Sequence, residues 1–173
     1  GKGNTYEVQR ELGNLCYKYA SYSRAKNKYR IAARSVMREL EKAEGEAEKR
    51  ALTNLYLESL VHVGMSDYKF GKEEEAVKII EGLAEDYPDH ALIDYGRGQI
   101  AFLKEDMETA IGFFNSSIEK DPRSDAAPIV LGDYYMSAGN TDEAIAVWEN
   151  FLQNNRYHKK LRKRLNQAKK LVE

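Results

Sequence analysis

The sequence repeats itself with a period of 34 residues. Shifting the chain by this period aligns three glycines, three alanines and, four positions after each alanine, a bulky apolar residue. These columns are Gly64, Gly98 and Gly132, then Ala76, Ala110 and Ala144, then Ile80, Phe114 and Trp148. A fixed period of this length is typical of stacked units, each of which buries its apolar face against its neighbours.

The apolar spacing inside each unit predicts helices. Ala76, Ile80 and Leu83 follow one another at steps of four and three, which places them on one face of a helix. Each unit is long enough for two helices, and we predict the breaks between paired helices at residues 70–71, 104–106 and 138–140.

Helix ends can also be predicted from the sequence. Pro88 and Pro122 recur at the ends of two units, where each should stop the second helix, and Arg156 takes the third position. Asn140, followed three residues later by Glu143, fits a capping box at a helix N-terminus.

A further copy of the columns lies upstream, although its spacing differs. Gly13, Cys16, Ala25, Tyr29 and Ala32 reproduce the pattern, but Gly13 precedes Gly64 by 51 residues, which is 34 plus 17.

We expect the surplus to lengthen two antiparallel helices that meet near Gly45. In that arrangement Val36 and Leu40 would pack on Ala47 and Ala51.

With these columns the chain resembles a tetratricopeptide repeat protein. That family has a small residue where its paired helices cross, an early alanine in the second helix and a closing proline. The resemblance implies an all-α, right-handed α-solenoid of four helix pairs with a lengthened first-to-second junction. The predicted repeats are residues 5–45, 46–90, 91–124 and 125–156.

Residues 157–173 form a basic amphipathic segment that we predict to be a capping helix. Leu161, Leu165, Ala168 and Val172 lie at steps of four, three and four, and would cover the last repeat. The segment holds seven Lys or Arg residues against Glu173, a local charge of +6, whereas the whole chain carries −1.

No catalytic or metal-binding pattern stands out among the 173 residues. His62, His90 and His158 are far from one another and from the single cysteine, Cys16, which occupies a core column. We therefore expect no enzymatic activity, no metal and no cofactor.

The apolar runs are too short for a transmembrane helix, and we expect a cytoplasmic protein. Because the sequence begins with Gly1 rather than methionine, we expect it to be part of a longer chain.

The resemblance implies a protein-binding scaffold, with a concave groove lined by the first helix of each pair. The groove should receive a peptide, a helix, a partner domain or a second copy of the chain. Its predicted residues are Arg10, Asn14, Tyr17, Lys18, Val61, Met65, Tyr68, Lys69, Tyr95, Gln99, Phe102 and Ile129. The same implied face also carries Glu58, Leu92 and Ala126.

The alternative function is nucleic-acid or acidic-membrane binding through the basic C-terminal helix. The capping role is favoured over it, because no aromatic platform accompanies the basic residues.

Overall fold

The computed structural model describes residues 5–172, which fold into nine α-helices without a strand. The helices are Tyr6–Lys18 (α1), Tyr22–Leu40 (α2), Glu46–Lys69 (α3), Glu73–Asp86 (α4), Ala91–Leu103 (α5), Met107–Lys120 (α6), Ala126–Ser137 (α7), Thr141–Asn154 (α8) and Lys159–Val172 (α9).

The helices pack mainly against neighbours in the chain, as in a solenoid. Within pairs, α1 contacts α2, α3 contacts α4, α5 contacts α6 and α7 contacts α8; successive pairs meet through α2 and α3, α3 and α5, α4 and α5, and α6 and α7. The predicted all-α solenoid is confirmed. As predicted, α4 and α6 each end two residues before a proline, Pro88 and Pro122.

The repeated glycines mark places where two paired helices approach closely. Gly132 is the tightest case, because a Cβ atom there would lie 2.2 Å from Nε1 of Trp148. The Trp148 ring is buried, and its indole N–H donates a 3.1 Å hydrogen bond to the Pro128 carbonyl. The upstream copy is built the same way, with a Cβ on Gly13 falling 2.7 Å from the Tyr29 ring.

The first helix of every pair ends in the same turn. The residue after each C-cap has a positive φ, and the next N–H bonds back to a carbonyl five residues earlier, which is a Schellman motif. The four positive-φ residues are Ala20, Gly71, Glu105 and Gly139, and the four closing bonds measure 2.8–3.0 Å. The breaks therefore fall where the sequence predicts them.

One of these turns should become more stable when its left-handed residue is replaced. Glu105 has a φ of 63°, a conformation that costs an L-residue about 1–2 kcal/mol and glycine much less. We expect Glu105→Gly to raise the free energy of unfolding by about 1 kcal/mol in urea titrations. The matched control, Lys78→Gly inside α4, should lower it by about 1 kcal/mol; equal losses in both variants would contradict this account.

The long hairpin is helical, as predicted, but its seam differs from the expected one. Helices α2 and α3 pack along each other, and Gly45 is the N-cap residue of α3. Val36 is fully buried, whereas Ala47 and Ala51 are exposed, so the predicted packing of Val36 and Leu40 on these alanines is wrong. Helix α3 is rotated about its axis so that both alanines face an open groove instead.

The N-cap residues of α8 and α6 differ in whether their side chains bond to the helix. Asn140 is the N-cap residue of α8, but its side chain makes no capping hydrogen bond, so the predicted capping box is not formed. In the equivalent position before α6, Asp106 does accept a bond from the Thr109 N–H at 3.2 Å.

Helix α9 covers the last helix pair. Leu161, Leu165 and Ala168 are buried against the cluster that contains Trp148 and Phe151. Val172 is 53% exposed, so the predicted stripe stops one turn early.

Two buried carboxylates tie neighbouring helices together. Asp67 on α3 is 1% exposed, and its Oδ1 lies 2.5 Å from Lys26 Nζ on α2. Asp94 on α5 accepts a 2.6 Å bond from the Ser116 hydroxyl and lies 2.8 Å from Lys120 Nζ, both on α6. Charged pairs thus connect α2 to α3 and α5 to α6 inside the packed interfaces.

Candidate functional site

An open groove of about 440 Å³ lies between α3, the start of α5 and the connection from α6 to α7. Its α3 wall carries Arg50, Asn54, Glu58 and His62. The floor is formed by α5, and the opposite rim holds the polar residues of the α6–α7 connection. The floor residues are Ala91, Leu92 and Tyr95. The opposite rim consists of Asp121, Arg123, Ser124 and Asp125, followed by Ala126 at the start of α7.

The α3 wall is fixed by contacts with the first helix pair. His62 Nδ1 lies 2.8 Å from the Glu58 carbonyl, and its ring packs 4.9 Å from the Tyr29 ring. The Tyr29 hydroxyl donates a 2.9 Å hydrogen bond to Asn14, and Arg10 lies 3.7 Å from the Glu58 carboxylate. The predicted residues Arg10 and Asn14 therefore adjoin the groove, although they do not line it.

His90 positions the end of α5 that forms the groove floor. Its Nδ1 accepts a 3.2 Å bond from the Leu92 N–H and caps the helix, while its Nε2 lies 2.9 Å from the Asn54 side-chain oxygen on α3. Both contacts require the neutral ring with its proton on Nε2. Burial lowers the pKa of His90, Lys120 acts in the same direction, and Asp121 opposes them.

The His90 cap predicts a loss of stability in mild acid. A pKa lowered by folding means that the unfolded chain binds more protons, so the stabilisation is complete above about pH 6.5 and is lost as the pH falls below it. His90→Asn keeps a good N-cap residue without a titrating ring. We expect wild type to lose up to about 1 kcal/mol relative to His90→Asn between pH 7.5 and pH 5; a constant difference in thermal unfolding would contradict this.

Three of the predicted groove residues are buried and offer a ligand little surface. Val61 is fully buried, and Tyr95 and Gln99 are at most 7% exposed. Gln99 donates a 2.8 Å hydrogen bond to the Tyr95 hydroxyl, and burial raises the pKa of that phenol well above its usual range. Val61 and Tyr95 belong to the central core, where α3 packs against α5.

The remaining predicted residues lie outside the groove. Met65, Tyr68 and Phe102 are half-buried against the central core, and Ile129 is half-buried against the cluster under α9. Tyr17 packs edge-on against Tyr22 at 5.3 Å, and burial raises its pKa to about 12.

Lys18 and Lys69 are exposed at the ends of α1 and α3. The groove and this list of predicted residues therefore share only Tyr95.

The sequence analysis missed most of the groove lining. Arg50, Asn54 and His90 belong to the lengthened junction and a helix cap, and the 34-residue columns do not mark them. Glu58, Leu92 and Ala126 do stand 34 residues apart and all three line the groove. This column belongs to the face of the first helices that the family resemblance implies, so the resemblance does reach part of the groove.

Two cations of α9 are already paired with carboxylates. Arg164 donates two hydrogen bonds of 2.7 and 2.9 Å to Asp133, and Lys169 lies 2.6 Å from Glu149. The predicted nucleic-acid or acidic-membrane surface thus has fewer unpaired cations than its +6 charge indicates, and it stays a prediction.

Cys16 is half-buried and packs against the buried cluster that contains Tyr29.

Residues 5–172 contain no group of three or more His, Cys, Asp or Glu side chains that could hold a metal ion. In the same range, no helix combines the length and apolarity that a bilayer crossing requires.

Comparison with known proteins agrees with the geometry of the repeats. Residues 64–125 match the family model of the tetratricopeptide repeat, and the glycine contacts and Schellman turns of this segment recur outside it. The matched segment, residues 64–125, consists of tetratricopeptide repeats. The fold of this family is that of a scaffold for protein–protein interaction.

A similar solved structure supports the same fold. A thermophilic tetratricopeptide repeat protein of Thermus thermophilus, TTC0263, is 18% identical, with a TM-score of 0.52 over 94% of this chain and 98% of the other. A mutant of MamA, D159K, is 17% identical, with a lower TM-score of 0.46 over 96% and 87% of the two chains. A comparison with curated proteins found no significant match.

Proposed function

We propose that this tetratricopeptide repeat protein is a noncatalytic scaffold that holds an extended segment or helix of a protein partner in its groove. The observation that carries the proposal is the open groove with an apolar floor and a charged rim. Leu92 on the α5 floor and Ala126 at the start of α7 are half-buried and supply accessible apolar surface, whereas Tyr95 beneath them is buried. Apolar floors supply binding energy and polar rims supply selectivity in interfaces of this kind.

The charges of the rim favour a ligand that carries acidic residues. The three carboxylates of the groove all have partners within the chain: Glu58 lies 3.7 Å from Arg10, Asp125 lies 3.1 Å from His158, and Asp121 accepts a 3.1 Å hydrogen bond from the Arg123 backbone N–H. Arg50 and Arg123 form no ion pair with any residue in the range 5–172. Arginines are enriched among residues that dominate binding energy. We infer that the ligand places carboxylates against these two guanidinium groups.

The site should extend toward the other ends of α3 and α5. Tyr68 and Phe102 occupy the same column, 34 residues apart, and both remain partly accessible above the core. Phe102 also packs edge-on against Tyr134 of α7 at 5.9 Å. These half-exposed rings would supply aromatic contacts to a ligand that runs across successive first helices.

The proposal is tested with peptides selected from a displayed random library against the whole chain. Their affinity is compared between wild type, Arg50→Ala/Arg123→Ala and the matched control Arg34→Ala/Arg38→Ala. The control removes two exposed arginines from α2, away from the groove. We expect at least about a tenfold loss of affinity in the groove variant and no change in the control.

Two results would count against the proposal. Equal affinity of all three proteins would place the ligand elsewhere, and an equal loss in both variants would indicate attraction by overall charge alone. Circular dichroism of each variant checks that the helices are retained.

A further inference from the structure

Helix α1 and its C-cap residue, Tyr19, carry an apolar stripe that nothing in the described part of the chain covers. Val8, Leu12, Leu15 and Tyr19 are 37%, 38%, 53% and 69% exposed. Their steps of four, three and four residues place them on one side of the helix. The side of α1 that packs on α2 contains Gly13. Since an α-helix turns by about 100° per residue, Gly13 lies roughly 130° around the helix axis from the middle of the stripe.

The stripe distinguishes the two ends of the described solenoid. At the C-terminal end, α9 covers the last pair with buried leucines and presents mainly lysines and arginines to solvent, although Leu171 and Val172 at its last turn are also exposed. At the other end, α1 presents apolar side chains to solvent. A solenoid requires a polar outer face on its terminal units to stay soluble, and contiguous exposed apolar side chains mark interaction surfaces.

The charges beside the stripe indicate which partner fits it. Glu11 and Lys18 are exposed, and each immediately precedes a stripe residue, so they share one edge. In heptad terms, Leu12 and Tyr19 take the a positions, Val8 and Leu15 take d, and the two charges take g. When two such helices pair in antiparallel orientation, g residues face g residues of the other helix. Glu11 of each copy then faces Lys18 of the other.

The intramolecular contacts of these two charges leave them available. Lys18 Nζ lies 5.7 Å from the centre of the Tyr19 ring and has no acidic partner within residues 5–172. Glu11 lies 3.6 Å from Arg10, a contact that is too long for a strong hydrogen bond. Helix α2 packs on the side of α1 that carries Gly13, so the exposed arginines of α2 lie away from the stripe.

We propose that two copies of this chain associate through α1 in an antiparallel pair. Leu12 packs on Leu15 of the second copy, Val8 packs on Tyr19 of the second copy, and two Glu11–Lys18 ion pairs flank the contact. The arrangement is two-fold symmetric and self-complementary, as closed dimers require. Four apolar side chains per copy are far fewer than the roughly 20–30 residues of a standard interface, so the dimer dissociates on dilution.

The first test is sedimentation equilibrium of the whole chain across the micromolar range. Wild type should show a reversible monomer–dimer equilibrium. Leu15→Glu should weaken dimerisation at least about tenfold, because it places a carboxylate in the apolar contact. The matched control is Tyr157→Glu, since Tyr157 is 86% exposed and lies outside the stripe; it should dimerise like wild type.

The second test is charge reversal, which examines the register without altering the apolar stripe. Glu11→Lys and Lys18→Glu should each weaken the dimer, since each sets like charges opposite one another, and the double variant should restore it. A chain that stays monomeric throughout would overturn the proposal and assign the stripe to another protein or another segment. A dimer that tolerates Leu15→Glu, or a double variant without rescue, would also overturn it.

Discussion

Replacing Trp148 by alanine should lower the free energy of unfolding by about 3–5 kcal/mol, the range found for large-to-small substitutions of buried aromatic residues. Trp148 is 2% exposed and lies between α7 and the residues of α9 that cap it. Its loss would open a cavity and remove the indole bond to the Pro128 carbonyl. The measurement is urea denaturation followed by circular dichroism, and a loss below about 1 kcal/mol would contradict the packing described.

The same contact can be disturbed from the other side with a matched pair of glycine substitutions. Gly132→Ala places a methyl group on the indole ring and should cost about 1–3 kcal/mol through overpacking. Gly112, on α6, has open space where its Cβ would stand, so Gly112→Ala should stabilise the chain by about 0.5–1 kcal/mol through helix propensity. The opposite signs separate close packing from helix propensity.

Asp67→Ala should also destabilise the chain by about 3–5 kcal/mol, as expected when one partner of a buried ion pair is removed. The Lys26 side chain is only 19% exposed, so its ammonium group would remain largely buried without a counter-charge. Thermal and urea unfolding of the variant provide the measurement.

The control for Asp67→Ala replaces both partners by apolar residues of similar size. Lys26→Met/Asp67→Leu removes the buried charge as well as the bond, and such replacements are often neutral or stabilising. The double variant should therefore recover most of the stability lost by Asp67→Ala. Equal losses in both proteins would show that the ion pair is not the cause.

The repeat period predicted the helix pairs because it reflects packing that recurs in every unit. Small residues such as Gly98 must stand where helices cross, and a bulky residue such as Phe114 must fill the space beside them. Turns that reverse the chain need a left-handed residue, which explains Gly71 and Gly139 at equivalent positions. Constraints of this kind act locally and leave periodic signals in a single sequence.

The groove could not be predicted equally well, because its residues depend on the rotation of each helix. Val61 and Tyr95 look available on the helical pattern, yet α3 and α5 meet through them. The ion pair of Lys26 with Asp67 and the contact of His90 with Asn54 join residues 41 and 36 positions apart. A single sequence gives no periodic signal for such contacts.

Ligand binding in the groove between α3, α5 and the α6–α7 connection is tested most directly by amide chemical shifts of the whole chain, recorded by NMR with and without a selected peptide. We expect the largest changes in residues 50–62, 90–95 and 121–126, with little change along the outer face of α2. Changes confined to residues 157–172, with the groove amides unaltered, would contradict it.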